Sequence, residues 1–126
     1  MRRTFQIALL VAAFIPFALG VMNLIGGAAL FVPPEDVTAR LDSQMRFYAA
    51  ASMLPFFIAI WIVRNLDAAG PVLMITLLTI ALTGIARLYS VTQYGLPGPE
   101  MIAAIVVEIG VILFIPWHRA VVRAAG

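Results

Sequence analysis

Residues 71–91 read PVLMITLLTIALTGIARLYSV, and this stretch decides what kind of fold the chain adopts. An α-helix rises about 1.5 Å per residue and the hydrocarbon core of a bilayer is roughly 30 Å thick, so about 20 apolar residues make one span. The stretch supplies that length with a proline at its start and a single charge, Arg87. Three further runs meet the same requirement: about 4–25, continuing toward Phe31, then about 43–63 and about 101–117. The breaks between them, FVPPEDVTARLD, RNLDAAGP and TQYGLPGPE, are rich in turn formers. The pattern predicts an all-α integral membrane protein, a four-helix transmembrane bundle forming one domain over residues 1–126. Pro71 and Pro99 suit the first turn of a helix, and Glu100 suits the positive end of the fourth. Pro16 and Pro55 fall inside the first two helices and predict kinks there.

Composition supports the same class. The chain is 63% hydrophobic and 11% charged, with a mean hydropathy of +1.06. Soluble domains carry about a quarter charged residues, so this chain has too little polar surface to dissolve as one. The net charge of +2 comes from arginines scattered singly, without the basic stripe and interleaved aromatics that bind nucleic acid. Cysteine is absent, which excludes disulfides, thiolate catalysis and cysteine metal sites. The one histidine, His118, has no ligating partner at helical spacing, so neither a metal nor a cofactor is expected. All eight basic residues are arginine, which a GC-rich genome accounts for.

The first run, MRRTFQIALLVAAFIPFALG, has the basic start, apolar body and small-residue ending of a signal peptide. Its apolar character continues through Val21 to Ile25, so a retained helix is expected. With four spans, one side of the membrane holds Arg2, Arg3, Arg64, Arg119 and Arg123, and the other holds Arg40. Arginine and lysine concentrate on the cytoplasmic side, so both termini are expected there.

That orientation carries Asn23, Arg46, Arg87 and Glu108, one from each helix, to similar depths in the outer half of the bilayer. Glu108 falls about 10 Å below the start of its helix. An unpaired charge at such a depth costs about 3 kcal/mol, so Glu108 needs a cation. Arg87 and Arg46 are the available partners, with Asp42 one turn from Arg46 on the same face. Thr76, Thr79, Thr83, Arg87 and Ser90 form one stripe along the third helix, expected to point inward, and Gly84 beside it permits close approach of a neighbour. Tyr94 is placed to close this polar site from above. Tyr48, Tyr89, Trp61 and Trp117 read as anchors at the membrane interface, as does Tyr94 in its other reading, and Gly26-Gly27 as a flexible helix end. A catalytic triad is not supported, because His118 lies on the other side of the membrane; no catalytic residue is assigned.

The segments DSQMRFYAA (42–50), LTGIARLYS (82–90) and YGLPGP (94–99), with a glutamate in the fourth helix, resemble a bacterial group of small four-helix inner-membrane proteins known only as a domain of unknown function, similar in outline to DoxX-like proteins. The resemblance implies a multi-pass protein of the bacterial inner membrane and highlights Arg46, Arg87 and Glu108. RFYAAASMLPFF (46–57) with ARLYSVTQYG (86–95) is similar in outline to the MAPEG membrane enzymes, which carry an Asn and a Glu where this chain has Ala and Ser. The Arg87–Glu108 pair reads either as structural glue, with Arg87 alternatively reaching up to lipid phosphate, or as a functional polar site, and three functions fit the pattern. A binding protein would take a lipophilic molecule with an anionic head at the Arg/Glu site, as a monomer or a homo-oligomer. An accessory subunit would dock to a larger membrane complex through small residues such as Ala103 and Gly110. A membrane enzyme would use Glu108 as acid or base on a lipophilic substrate. The sequence favours the two non-catalytic roles.

Overall fold

The computed structural model describes residues 1–126 as helices joined by short connections: α1 (Arg2–Gly26), α2 (Ala39–Ala51), α3 (Leu54–Arg64), α4 (Gly70–Tyr94), α5 (Pro99–Gly110) and α6 (Phe114–Ala125). Short 3-10 turns follow α1 at Gly27–Leu30, precede α2 at Pro34–Asp36 and join α5 to α6 at Val111–Leu113. They assemble into four helical segments long and apolar enough to cross a membrane: Arg2–Leu30, Ala39–Arg64, Gly70–Tyr94 and Pro99–Ala125. Each contains one of the four runs expected from the sequence and extends it.

The helix boundaries follow local chemistry. Thr38 caps α2 by accepting the Leu41 N–H at 3.1 Å. Pro71 and Pro99 occupy first-turn positions of α4 and α5, where no intrahelical donor is needed, and Glu100 lies in the first turn of α5. Gly95 ends α4 with φ of 87°, a conformation that favours glycine. Proline acts unevenly. α1 continues through Pro16 as one helix. The second span instead breaks at Ser52 and Met53, one turn before Pro55, whose missing N–H leaves the Ala51 carbonyl without its donor. The fourth span tightens to a 3-10 turn just before Pro116 in the same way.

The chain divides into two compact units. In the first, Gln6–Arg64, α1 packs on the α2–α3 segment. Gln6 Nε2 donates to the Val63 carbonyl at 2.8 Å, tying the start of α1 to the end of α3. Phe17 sits 4.8 Å from Phe56 and 5.7 Å from Phe57, ring centre to ring centre. A Cβ at Gly20 would lie 2.7 Å from Ser52 Oγ and 2.9 Å from the Ala49 carbonyl, so only glycine admits the α2–α3 break against α1.

In the second unit, residues 1–5 and 65–126, α4 is the spine. Its buried residues, Leu73, Leu77, Ala81 and Gly84, are spaced by four, four and three and form one face that packs on α5 and α6. Gly84 is the closest approach: a Cβ there would lie 2.9 Å from Ile109 Cγ1 and 3.1 Å from Glu108 Cβ. Phe5 is fully buried, edge-on to Phe114 and Trp117 at 5.8 and 5.3 Å. Trp117, expected as an interface anchor, is thus half-buried against Phe5 and Phe114. Arg2 grips Asp67 with both terminal nitrogens, at 2.9 and 3.0 Å, and this hydrogen-bonded cation holds the Asp67 carboxyl below its ordinary range.

Replacement of Gly84 by leucine should force α4 and α5 apart and cost about 1–3 kcal/mol of stability. Gly110, with nothing within 4 Å of where a Cβ would stand, should accept the same change with no loss. Thermal unfolding of Gly84→Leu and Gly110→Leu in detergent checks both.

Candidate functional site

The close approach at Gly84 places an ion pair between two helices. One turn further along α4, Arg87 turns toward α5, and its Nε donates to both carboxylate oxygens of Glu108, at 3.0 and 3.2 Å. Its Nη1 donates to Met101 Sδ at 3.2 Å, which draws the guanidinium toward the start of α5. Nη2 makes no bond. The Arg87 side chain is 43% exposed and that of Glu108 20% exposed, so the carboxylate is the more enclosed partner. Seven residues separate Arg87 from the end of α4 and nine separate Glu108 from the start of α5, so the pair lies about 10–14 Å inside both helices.

A second polar centre lies in the other unit. Arg46 Nε donates to Asp42 Oδ2 at 2.8 Å, and its Nη1 donates to the carbonyls of Leu24 and Ile25 at 2.6 and 3.0 Å. Asp42 Oδ1 accepts the Ala28 N–H at 3.0 Å. The pair therefore caps the C-terminal end of α1, satisfying carbonyls that a helix end leaves open. Gly27 makes this possible: its φ is +61°, and a Cβ there would strike Asp42 and Arg46. Gly26-Gly27 is thus a fitted corner where a flexible helix end was expected.

The remaining expected site residues are placed as follows. Asn23 is half-buried in α1 and makes no side-chain hydrogen bond. Ser90 is exposed one turn beyond Arg87, and Tyr94 is 90% exposed at the end of α4. The threonine stripe does not point inward. Thr79 and Thr83 are exposed, and Thr76, Thr79 and Thr83 donate to the Val72, Ile75 and Ile80 carbonyls of their own helix at 2.6 to 2.8 Å. A hydroxyl that folds back on its own helix needs no partner, so the stripe tolerates an outward position.

His118, set aside by the sequence reading, is the buried polar residue of α6, at 5% exposure. Its Nε2 lies 2.8 Å from the Leu66 carbonyl. A lone histidine has no spacing partner to betray it; the signal was its place between Phe114 and Val121 on one helical face. No group of three or more histidine and acidic side chains is arranged to hold a metal ion.

Four helices suited to crossing a membrane, with one Arg–Glu pair well inside two of them, fit a small multi-pass membrane protein. The chain belongs to the family described as a domain of unknown function, DUF4345, which matches residues 4–118. No curated protein and no solved structure matches it.

Removing either partner of the Arg87–Glu108 pair should strand the other and cost about 1–3 kcal/mol. Replacing both with leucine should recover most of that loss. Unfolding of Arg87→Leu, Glu108→Leu and the double variant completes the cycle.

Proposed function

We propose that the chain is a non-catalytic protein of the bacterial inner membrane, with four spans forming a bundle and both termini in the cytoplasm. In this reading the Arg87–Glu108 pair recognises the anionic or polar head of a lipophilic molecule in the outer half of the bilayer. The observation that carries it is the unspent donor capacity of Arg87: Glu108 takes Nε and Met101 takes Nη1, while Nη2 is left open on a side chain that is 43% exposed. Within a span, a guanidinium donor left open lacks the water that would otherwise satisfy it, and an acceptor arriving from the lipid phase supplies a charge-assisted hydrogen bond. Glu108 neutralises the charge without covering it, so the pair is selective for a head that adds acceptors without needing to expel the carboxylate.

An accessory role in a larger membrane complex is the second reading. It is favoured by the open face of α5, where Ala103 is exposed and Gly110 has no neighbour, a surface on which another helix fits closely.

Native mass spectrometry after gentle extraction separates them. A ligand site should give a reproducible small added mass, alone or on a homo-oligomer, that Arg87→Leu removes and Gly110→Leu retains. Larger polypeptides that Gly110→Leu removes would establish the accessory role. A bare chain would overturn both.

A further inference from the structure

The second unit holds a cavity that the Arg87–Glu108 site does not use. It measures about 270 Å³, lies where the start of α4 meets α6, and is lined by Gly70, Leu73, Met74, Ile115, His118 and Arg119. We propose that this cavity binds a phosphate group, presented by a lipid head or as the free anion. The inference goes beyond the role given to Arg87 and does not depend on it.

His118 supplies the first part of the site. It is 5% exposed, and its Nε2 stands 2.8 Å from the Leu66 carbonyl, which only accepts hydrogen bonds. Nε2 therefore carries a hydrogen, and the ring is fixed in orientation and tautomer. The other nitrogen, Nδ1, has no partner in the protein, yet no side-chain nitrogen or oxygen sealed from solvent lacks one. Nδ1 is therefore open to solvent, on a ring that lines the cavity. In the neutral ring it accepts a hydrogen bond from a protonated phosphate oxygen; in the charged ring it donates to an anionic one.

Two further features select for an anion. Arg119, next in sequence, lines the same cavity and makes no ion pair, so its guanidinium keeps its full donor set for phosphate. Asp67, next in sequence to the Leu66 that His118 meets, is already bound by both terminal nitrogens of Arg2. Gly70 begins the 25-residue helix α4, and the positive end of its dipole adds to the same field. Gly70 also borders the imidazole: a Cβ there would stand 3.7 Å from His118 Cε1, in ordinary contact. The apolar lining of Leu73, Met74 and Ile115 suits the first carbons of a lipid beneath its phosphate. The volume falls just under the range of about 300–1,000 Å³ typical of whole-ligand pockets, which suits a head group with its tails outside.

The sole histidine gives the test its readout, since one Cε1–H NMR signal reports on this site alone. The full chain in a sugar-headed detergent is titrated separately with phosphatidylglycerol, inorganic phosphate and diacylglycerol. A saturable shift with phosphatidylglycerol or with inorganic phosphate is expected, and which of the two acts identifies the source. Arg119→Gln, a change at an exposed and unpaired position, should weaken it about tenfold or more, the loss of one charge-assisted hydrogen bond. Arg87→Gln should leave it unchanged, which keeps this site separate from the other. No shift with either phosphate source, an equal shift with diacylglycerol, or a shift indifferent to Arg119→Gln would overturn the proposal.

Discussion

A helix of 25 residues that buries only Leu73, Leu77, Ala81 and Gly84 leaves most of its apolar surface without a protein neighbour. The same holds along the chain: Ile7, Val11 and Leu19 on α1, Phe57 on α3, and Val106 and Val107 on α5 are all more than half exposed. In water such surface would drive aggregation, because apolar patches this extensive are not stable on a soluble monomer. The helices satisfy their backbone groups internally, which is what an apolar solvent demands. Polar side chains inside the spans fold back on their own helix, as the threonines of α4 do, or find a partner of opposite charge.

The two Arg–carboxylate pairs answer this demand differently. Arg46 and Asp42 are four residues apart on one helix, and their remaining hydrogen bonds go to the backbone at the end of α1. Their work is architectural. Arg87 and Glu108 come from different helices, depend on a glycine for their approach and leave donors unused. An economical structural pair would be enclosed; this one is open on the arginine side, and that asymmetry is what supports the recognition proposed for it. Ser90 and Tyr94 are exposed beyond it on the same helix, and Asn23 belongs to the other unit.

How much of this was legible beforehand varied with the physics involved. The four spans were legible because hydrophobic length is a direct consequence of bilayer thickness, and residues 71–91 state it almost without interruption. The end of the fourth helix was not: after Trp117 the polar residues His118, Arg119 and Arg123 lower the hydropathy, although Val121 and His118 still face inward. The Arg87–Glu108 pair followed from depth and charge alone. The threonine stripe misled because spacing shows which residues share a face but not which way that face points. Gly27 misled because a glycine required for φ of +61° and one that merely loosens a helix end look alike in sequence. The burial of His118 was invisible because its partner is a backbone carbonyl, which has no residue signature.

Placing the four apolar helices across a membrane is the central step, and the absence of cysteine makes it directly measurable. Single cysteines introduced at Glu35, Ala68, Leu96 and Gly126 mark the three connections and the C-terminus. Labelled in intact cells with a membrane-impermeant thiol reagent, the Glu35 and Leu96 positions should react from outside. Those at Ala68 and Gly126 should react only after the membrane is opened. Labelling of Ala68 and Leu96 from the same side would contradict a span through α4, and with it the placing of Arg87 inside the bilayer.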